Sequence, residues 1–555
     1  MTAVASARRG LIAVAIALVA GRGLAACGSE EEPASAITIA QSAQPDSLDP
    51  AVAFEVDALE PIWLVYTPLL TYRRVEGTEG AELIAGLASD LPEISGDGRT
   101  YTLTLREGLS YSDGSEVRAS DFEHEIERVL SLRSPGAPFY ERIVGARAYS
   151  RARDRGGGIS GITADDETGE ITIRLTRPDA TFSNALALVF AAPVPARTPF
   201  HDLTADPPPG VGPYEITASE PGREFVLERT PNFPDLDIPD IPTGNIDRIT
   251  TRIVPSVRKQ TQQVLDGRLD YMQDEPPPSM RARVRAKAQD RFTEHPTAST
   301  YYFFLNQDRR PFDDPLVREA INRAIDRRAL AYLYGGAVQP GCTLLAPGVP
   351  GYDEDLDTKR CPYATPGQIP DLRRARALIR QAGATGERVT VWGSRDADSR
   401  SATRVYARTL DKIGLDARTR LVDPSRYYAT IGNRRTGAQT GFDAWFADFP
   451  HPLDFFLVVD GDSIQPTHNP NPGNVDDPFI DSEIDRLRGV DDLGSVTDDW
   501  RRLDEYLVAP PQSYLVAFGH AQIATFLSQR LDPGSAVFHP LYRNDYSSWR
   551  LEQGD

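Results

Sequence analysis

Only one stretch of this chain is apolar enough to enter a bilayer, and it is too short to span one as a stable helix. Leu11–Ala20 (LIAVAIALVA) is an unbroken apolar run preceded by Arg8 and Arg9, whereas a spanning helix needs about 20 such residues. A basic region, a short apolar core and small residues after it read as an export signal. The rest of the chain must therefore bury its apolar side chains against itself, outside the cytoplasm. With 555 residues in the chain, there is material for two or more cores.

The small residues lead into Leu24-Ala25-Ala26-Cys27. A leucine, two small residues and a cysteine behind an export core resemble a bacterial lipoprotein box, in which Cys27 becomes the lipidated first residue. The alternative is an ordinary cleaved signal that leaves Cys27 in the removed piece. On the first reading, residues 1–26 are a lipoprotein signal peptide and 27–36, with the acidic run Glu30–Glu32, are a tether. Cys342 and Cys361 then remain as a pair in an oxidising compartment, and a disulfide between them would close a loop of roughly 20 residues, worth about 3 kcal/mol. No CxxC spacing or Cys/His pattern suggests a metal, and none is expected.

The formal charge is −20, from 80 acids against 60 basic residues. A surface so acidic repels nucleic acid and anionic headgroups. A complete GxSxG, an HExxH, a P-loop and a GxGxxG after a strand are all missing from the sequence, so an enzyme is not expected, nor is a cofactor.

Patterning places strands at Ile37–Ala40, Tyr101–Leu105, Glu170–Leu175, Phe225–Glu228 and Thr300–Leu305, with an acidic hairpin turn at Asp165–Gly169. Helical periodicity covers Asp121–Leu130, Pro315–Leu330 behind Asp314, Leu372–Ala382 before Gly383, and Thr403–Ile413 before Gly414. Alternation of the two types after residue 370 suggests a βαβ layer.

Seven segments, in order, resemble family five of the extracellular solute-binding proteins, the oligopeptide, dipeptide and nickel receptors of ABC importers. They are Asp46-Ser47-Leu48-Asp49-Pro50 with Tyr66-Thr67-Pro68-Leu69-Leu70; Leu105 through Asp113-Gly114 to Asp121-Phe122; Gly210-Val211-Gly212-Pro213-Tyr214; Leu265-Asp266-Gly267; Asn306 through Pro315 to Arg327; Gly441 through Trp445-Phe446-Ala447-Asp448 to Pro450; and Asp477-Pro478-Phe479. Most of these residues read as turn formers and helix faces that carry the fold.

The resemblance implies an α/β, two-lobed, type II periplasmic-binding-protein-like fold. Lobe I would comprise 37–75, 200–299 and 514–555, with 76–199 as an inserted subdomain, and lobe II would be 300–513. The implied function is capture of small peptides by lobe closure and delivery to an ABC permease with its ATPase subunits. The receptor would be a monomer held at the outer face of the cell membrane by lipid on Cys27. In peptide receptors of this family, an aspartate in a Trp-x-Ala-Asp segment pairs with the peptide's α-ammonium, and Trp445-Phe446-Ala447-Asp448 matches that spacing. Asp448 is thus the expected anchor and Trp445 an expected wall; the competing reading makes Asp448 a turn cap and Trp445 a core residue. Trp392 and Arg395, at the exit of the Val389–Trp392 strand, and Tyr66 and the 44–49 loop in the first lobe are further candidate contacts. Nickel binders share the fold, so a nickel or metallophore cargo, with His451 and His468 near Asp448, is an alternative. A sugar or other oligomeric solute on aromatic platforms is another.

Overall fold

The computed structural model describes residues 35–152, 157–363, 369–490 and 493–552. The export segment, Cys27 and all but the last two residues of the tether lie outside these. No helix among the described residues is long and apolar enough to cross a membrane.

Two sheets organise the chain. The first has the strand order Tyr271–Met272, Ala36–Gln41, Arg248–Ile253, Glu224–Arg229, Tyr214–Glu220. Ala36–Gln41 lies parallel to Arg248–Ile253, and Ile37 and Ile39 send their side chains into the core beside it. Residues between the first and later strands of this sheet build a separate four-stranded sheet, in which Tyr101 and Leu103 alternate inward opposite Ile173 and Ile171. The hairpin at Asp165–Gly169 closes as the sequence indicates: Asp165 Oδ1 accepts from Glu167 and Thr168 N–H, and Gly169 takes φ 73°.

The second large sheet joins Phe292–Pro296, Leu515–Phe526, Ser299–Leu305, Thr440–Phe446, Arg388–Ser394 and Asp416–Val422, with Val338–Pro340 also on Leu515–Phe526. Arg388–Ser394 and Asp416–Val422 are parallel and linked by the helix Ala397–Ile413, the βαβ unit expected after residue 370. That helix starts six residues before the periodicity suggested, because the Asp396 side chain accepts from Ser399 N–H and caps it. The single helix read over Pro315–Leu330 is two, Pro315–Ala324 and Arg327–Tyr332. Ile325 is extended and Asp326 caps the second piece through Ala329 N–H, so a capping side chain overrides continuous apolar spacing.

The chain passes between the two sheet systems twice, through Phe292–Leu305 and Leu515–Phe526, which pair with each other. Phe292, Ala524 and Phe526 pack with Ala40 and Met272 of the first sheet. Ala298, Tyr302, Leu515 and Ala517 pack in the core of the second. Cys342 and Cys361 are disulfide-bonded, with Cα atoms 6.1 Å apart.

The 44–49 loop is tied into the core rather than offered to a ligand. Asp49 is fully buried and accepts from both terminal nitrogens of Arg128, at 3.1 and 2.6 Å, and from Ala51 and Leu203 N–H. Arg128 also bonds Glu125 at 2.8 Å, so a buried ion cluster locks the helix Ala119–Ser131 to this loop. Replacing Arg128 by Met keeps the volume but strands buried carboxyl groups. We expect Arg128→Met to lose about 3–5 kcal/mol in urea unfolding followed by circular dichroism; a loss below about 1 kcal/mol would contradict the buried pairing.

Candidate functional site

Asp448 sits just beyond the strand Thr440–Phe446, whose other end is anchored between Ser299–Leu305 and Arg388–Ser394. The ladder with Arg388–Ser394 ends at Gly441, and beyond it the Phe442 carbonyl accepts from the Tyr427 hydroxyl at 2.6 Å while Ala444 N–H donates to the Asp443 carboxyl at 2.9 Å. Beyond the strand the chain turns through Phe449-Pro450 into the short helix Pro452–Phe456.

Asp454 on that helix fixes the turn. Its Oδ2 accepts from the Trp445 indole N–H and from the Asp448 backbone N–H, both at 3.0 Å. Asp454 therefore holds the Trp445 ring and the Asp448 backbone together, with Trp445 partly buried against the second-sheet core. The Asp448 carboxyl forms no ion pair among the described residues, and burial alone pushes it up to about 6. Asp454 is likewise pushed up, by burial and then by the Asp448 charge.

Asp448, Ala447 and Phe446 line a cavity of about 720 Å³, within the range of small-ligand sites. Its opposite wall is Phe54, Glu55, Asp57 and Leu59, around the start of the helix Val56–Val65, with Leu541 and Tyr542 from the returning chain. Phe139 and Leu188–Phe190 complete it. An adjoining pocket of about 270 Å³ shares Tyr428, Ala444 and Phe446 and extends to Ser394 and Asp396. Charged lining residues of the main cavity are all acids: Glu55, Asp57 and Asp448. Burial and the neighbouring Asp274 raise Asp57, while Arg543 opposes them.

Three other candidates lie elsewhere. Tyr66 is buried, and its hydroxyl donates to the Pro208 carbonyl at 2.7 Å. A side chain on Gly210 would meet the Tyr66 ring at 2.7 Å and one on Gly212 the Val65 carbonyl at 2.7 Å, so the Gly-Val-Gly segment packs closely against Tyr66, which does not line the cavity. Trp392 is buried in the second-sheet core, with the Arg420 guanidinium 4.4 Å over its ring. Arg395 is exposed on its loop and lines neither pocket, although its neighbours Ser394 and Asp396 do. His451 is buried, accepts from Leu453 N–H, and is pushed down to about 3 by burial; His468 is exposed. Among the described residues no three His, Cys, Asp or Glu side chains gather as a metal site.

Sequence reasoning missed Asp454, Phe54, Tyr428 and the wall from Phe139 and Leu188–Phe190. Asp454 carried a weak signal as an acid two residues into a Pro-started helix; the wall residues carried none, being ordinary apolar residues of a segment expected to lie apart.

Residues 82–465 match the family model for bacterial extracellular solute-binding proteins, family 5 (middle). A glutathione-binding protein of Escherichia coli (strain K12) is 25% identical over 385 residues, covering 68% of this chain and 69% of that protein. Among solved structures, the clavulanic acid biosynthesis oligopeptide binding protein 2 superposes with a TM-score of 0.83 at 26% identity, over 94% of this chain and 96% of that one. The unliganded open form of the periplasmic murein tripeptide binding protein MppA gives 0.75 at 20% identity, over 93% and 97%. The fold is two-lobed, α/β and periplasmic-binding-protein-like.

Raising the Asp448 carboxyl from 3.8 to about 6 means that the folded chain binds this proton more tightly than the unfolded chain does. The folded state is then progressively penalised as pH rises through that window. Asp448→Asn should gain stability over the parent protein between about pH 4 and 7, by up to about 2 kcal/mol after allowing for partial exposure. Parallel thermal melts at the two pH values test this, and a pH-independent difference would refute it.

Proposed function

The chain belongs to family 5 of the bacterial extracellular solute-binding proteins, and from that premise we propose that it captures short peptides between its lobes, with Asp448 receiving the α-ammonium. It is an extracytoplasmic binding component of an ABC importer, and a binding protein rather than an enzyme. The observation that carries the peptide reading is the Asp448 carboxylate: it lines the cavity of about 720 Å³, has no ion-pair partner among the described residues, and its backbone N–H is held by Asp454, which also holds the Trp445 indole. An ammonium is common to all peptides, and pairing it in a poorly hydrated cleft gives a charge-assisted hydrogen bond.

Phe446 and Ala447 contact the ligand in this reading, and Trp445 acts from behind them. Trp392 and Tyr66 support the two walls. Arg395 reaches a ligand only by swinging from its loop toward the adjoining pocket, where it would meet a carboxylate.

The lobes in this reading are 37–75, 200–299 and 514–555 for the first, with 76–199 inserted, and 300–513 for the second, in a type II arrangement. The division of buried apolar residues between the two sheet systems supports it. Closure would follow from the extra contacts a bridging ligand makes in the closed form. The closed monomer would dock on a permease served by ATPase subunits, kept near it by lipid on Cys27.

Calorimetric titration of a free-amine tripeptide should show at least about a tenfold loss of affinity in Asp448→Ala, with the fold retained by circular dichroism. In the parent protein, affinity should fall about tenfold per unit below pH 6, as the carboxyl takes up its proton. Unchanged affinity in the variant, or equal binding of the N-acetylated peptide, would remove the ammonium role.

A further inference from the structure

Resting on the ammonium reading of Asp448, we infer that the receptor selects peptides whose first residue is bulky and apolar, held by a row of phenylalanine rings that starts beside this aspartate. In a peptide the α-ammonium and the first side chain leave the same carbon. Fixing the ammonium at Asp448 therefore fixes where that side chain lies, within a few ångströms of the carboxylate.

The surroundings of that point are aromatic. Phe449, the next residue along the chain, meets Phe139 edge-on with ring centroids 6.3 Å apart. Phe139 stacks on Phe190 at 6.5 Å, and Phe190 on Phe54 at 6.4 Å. Phe54, Phe139, Leu188, Phe190 and Phe446 all line the same cavity as Asp448. Phe54 and Phe446 keep 41% and 45% of their surfaces exposed there, apolar area that a ligand side chain can cover.

The row is built in from behind. A side-chain carbon on buried Gly136 would lie 2.5 Å from the Phe190 ring, so the bare backbone at 136 seats that ring against the cavity. An apolar first side chain gains from leaving water against these rings. A serine hydroxyl would lose its water hydrogen bonds without a partner among them. An acidic first residue would in addition face Glu55, Asp57 and Asp448, whereas a lysine could turn toward Glu55 and Asp57 and so supplies the discriminating control.

The test is calorimetry on the purified chain, freed of carried-over ligand, with Phe-Ala-Ala, Ser-Ala-Ala, Lys-Ala-Ala and N-acetyl-Phe-Ala-Ala. We expect Phe-Ala-Ala to bind roughly 30-fold tighter than Ser-Ala-Ala, the worth of one buried aromatic side chain. The ratio should shrink in Phe54→Ala and in Gly136→Ala, which displaces Phe190 from behind. Equal affinities for the three free-amine peptides, or a preference for Lys-Ala-Ala, overturn the apolar selection while the ammonium reading stands. Full affinity for the acetylated peptide overturns the ammonium reading, and no binding of any free-amine peptide overturns both.

Discussion

Over its twelve residues the strand Leu515–Phe526 pairs with three others: Phe292–Pro296, Ser299–Leu305 and Val338–Pro340. Its first residues sit in the core of the second sheet and its last, Ala524 and Phe526, pack with Ala40 and Met272 of the first. A ladder shared in this way ties the two sheet systems together through a strand buried along nearly its whole length. Buried polar groups reinforce it. His520 lies 3.0 Å from the Ser299 carbonyl and 3.3 Å from Asp357, and Asp357 in turn accepts from Thr343 N–H and hydroxyl in the disulfide-closed loop. The walls of the cavity stand on either side of this crossing.

In the proposed reading, binding in the cleft rests on a carboxyl that has no ion-pair partner among the described residues. Asp49 is matched by Arg128 and Asp270 by Arg530, whereas buried Asp443 and Asp504 are held by hydrogen bonds from neutral groups. Asp448 has no such partner, and its neighbour Asp454 spends one oxygen on two N–H groups while the other has no hydrogen-bond partner. Such an arrangement costs stability, and on the ammonium reading the ligand's cation would offset that cost. His451 nearby spends its Nδ1 on the cap of the helix Pro452–Phe456.

Much of the fold was legible because its signals are local. Alternation at Tyr101–Leu105 and Glu170–Leu175, the acidic turn between strands, and glycines ending the helices at 383 and 414 each act within a few residues. The helix read as continuous over Pro315–Leu330 shows the limit: Asp326 lies inside a continuous apolar pattern, and only its capping hydrogen bond reveals the break. Asp448 was legible through its spacing from Trp445. Tyr66 and Trp392 were not separable from ligand contacts by sequence, since an aromatic residue at the end of a strand or helix looks alike whether a loop covers it or a cavity faces it.

An exported acidic receptor, the order of its strands and helices, and one carboxylate in a recognisable segment can all be read from the residues in line, because composition, periodicity and motif spacing are properties of the chain alone. Which side chains meet across the cleft is fixed only when the sheets pack. Phe54, Phe139 and Phe190 are brought to Asp448 from hundreds of residues away, while Gly210 and Gly212 bring a loop down over Tyr66 and remove it. Long-range packing between separately formed sheets makes that choice, and no local pattern in the chain encodes which of two apolar surfaces will be covered.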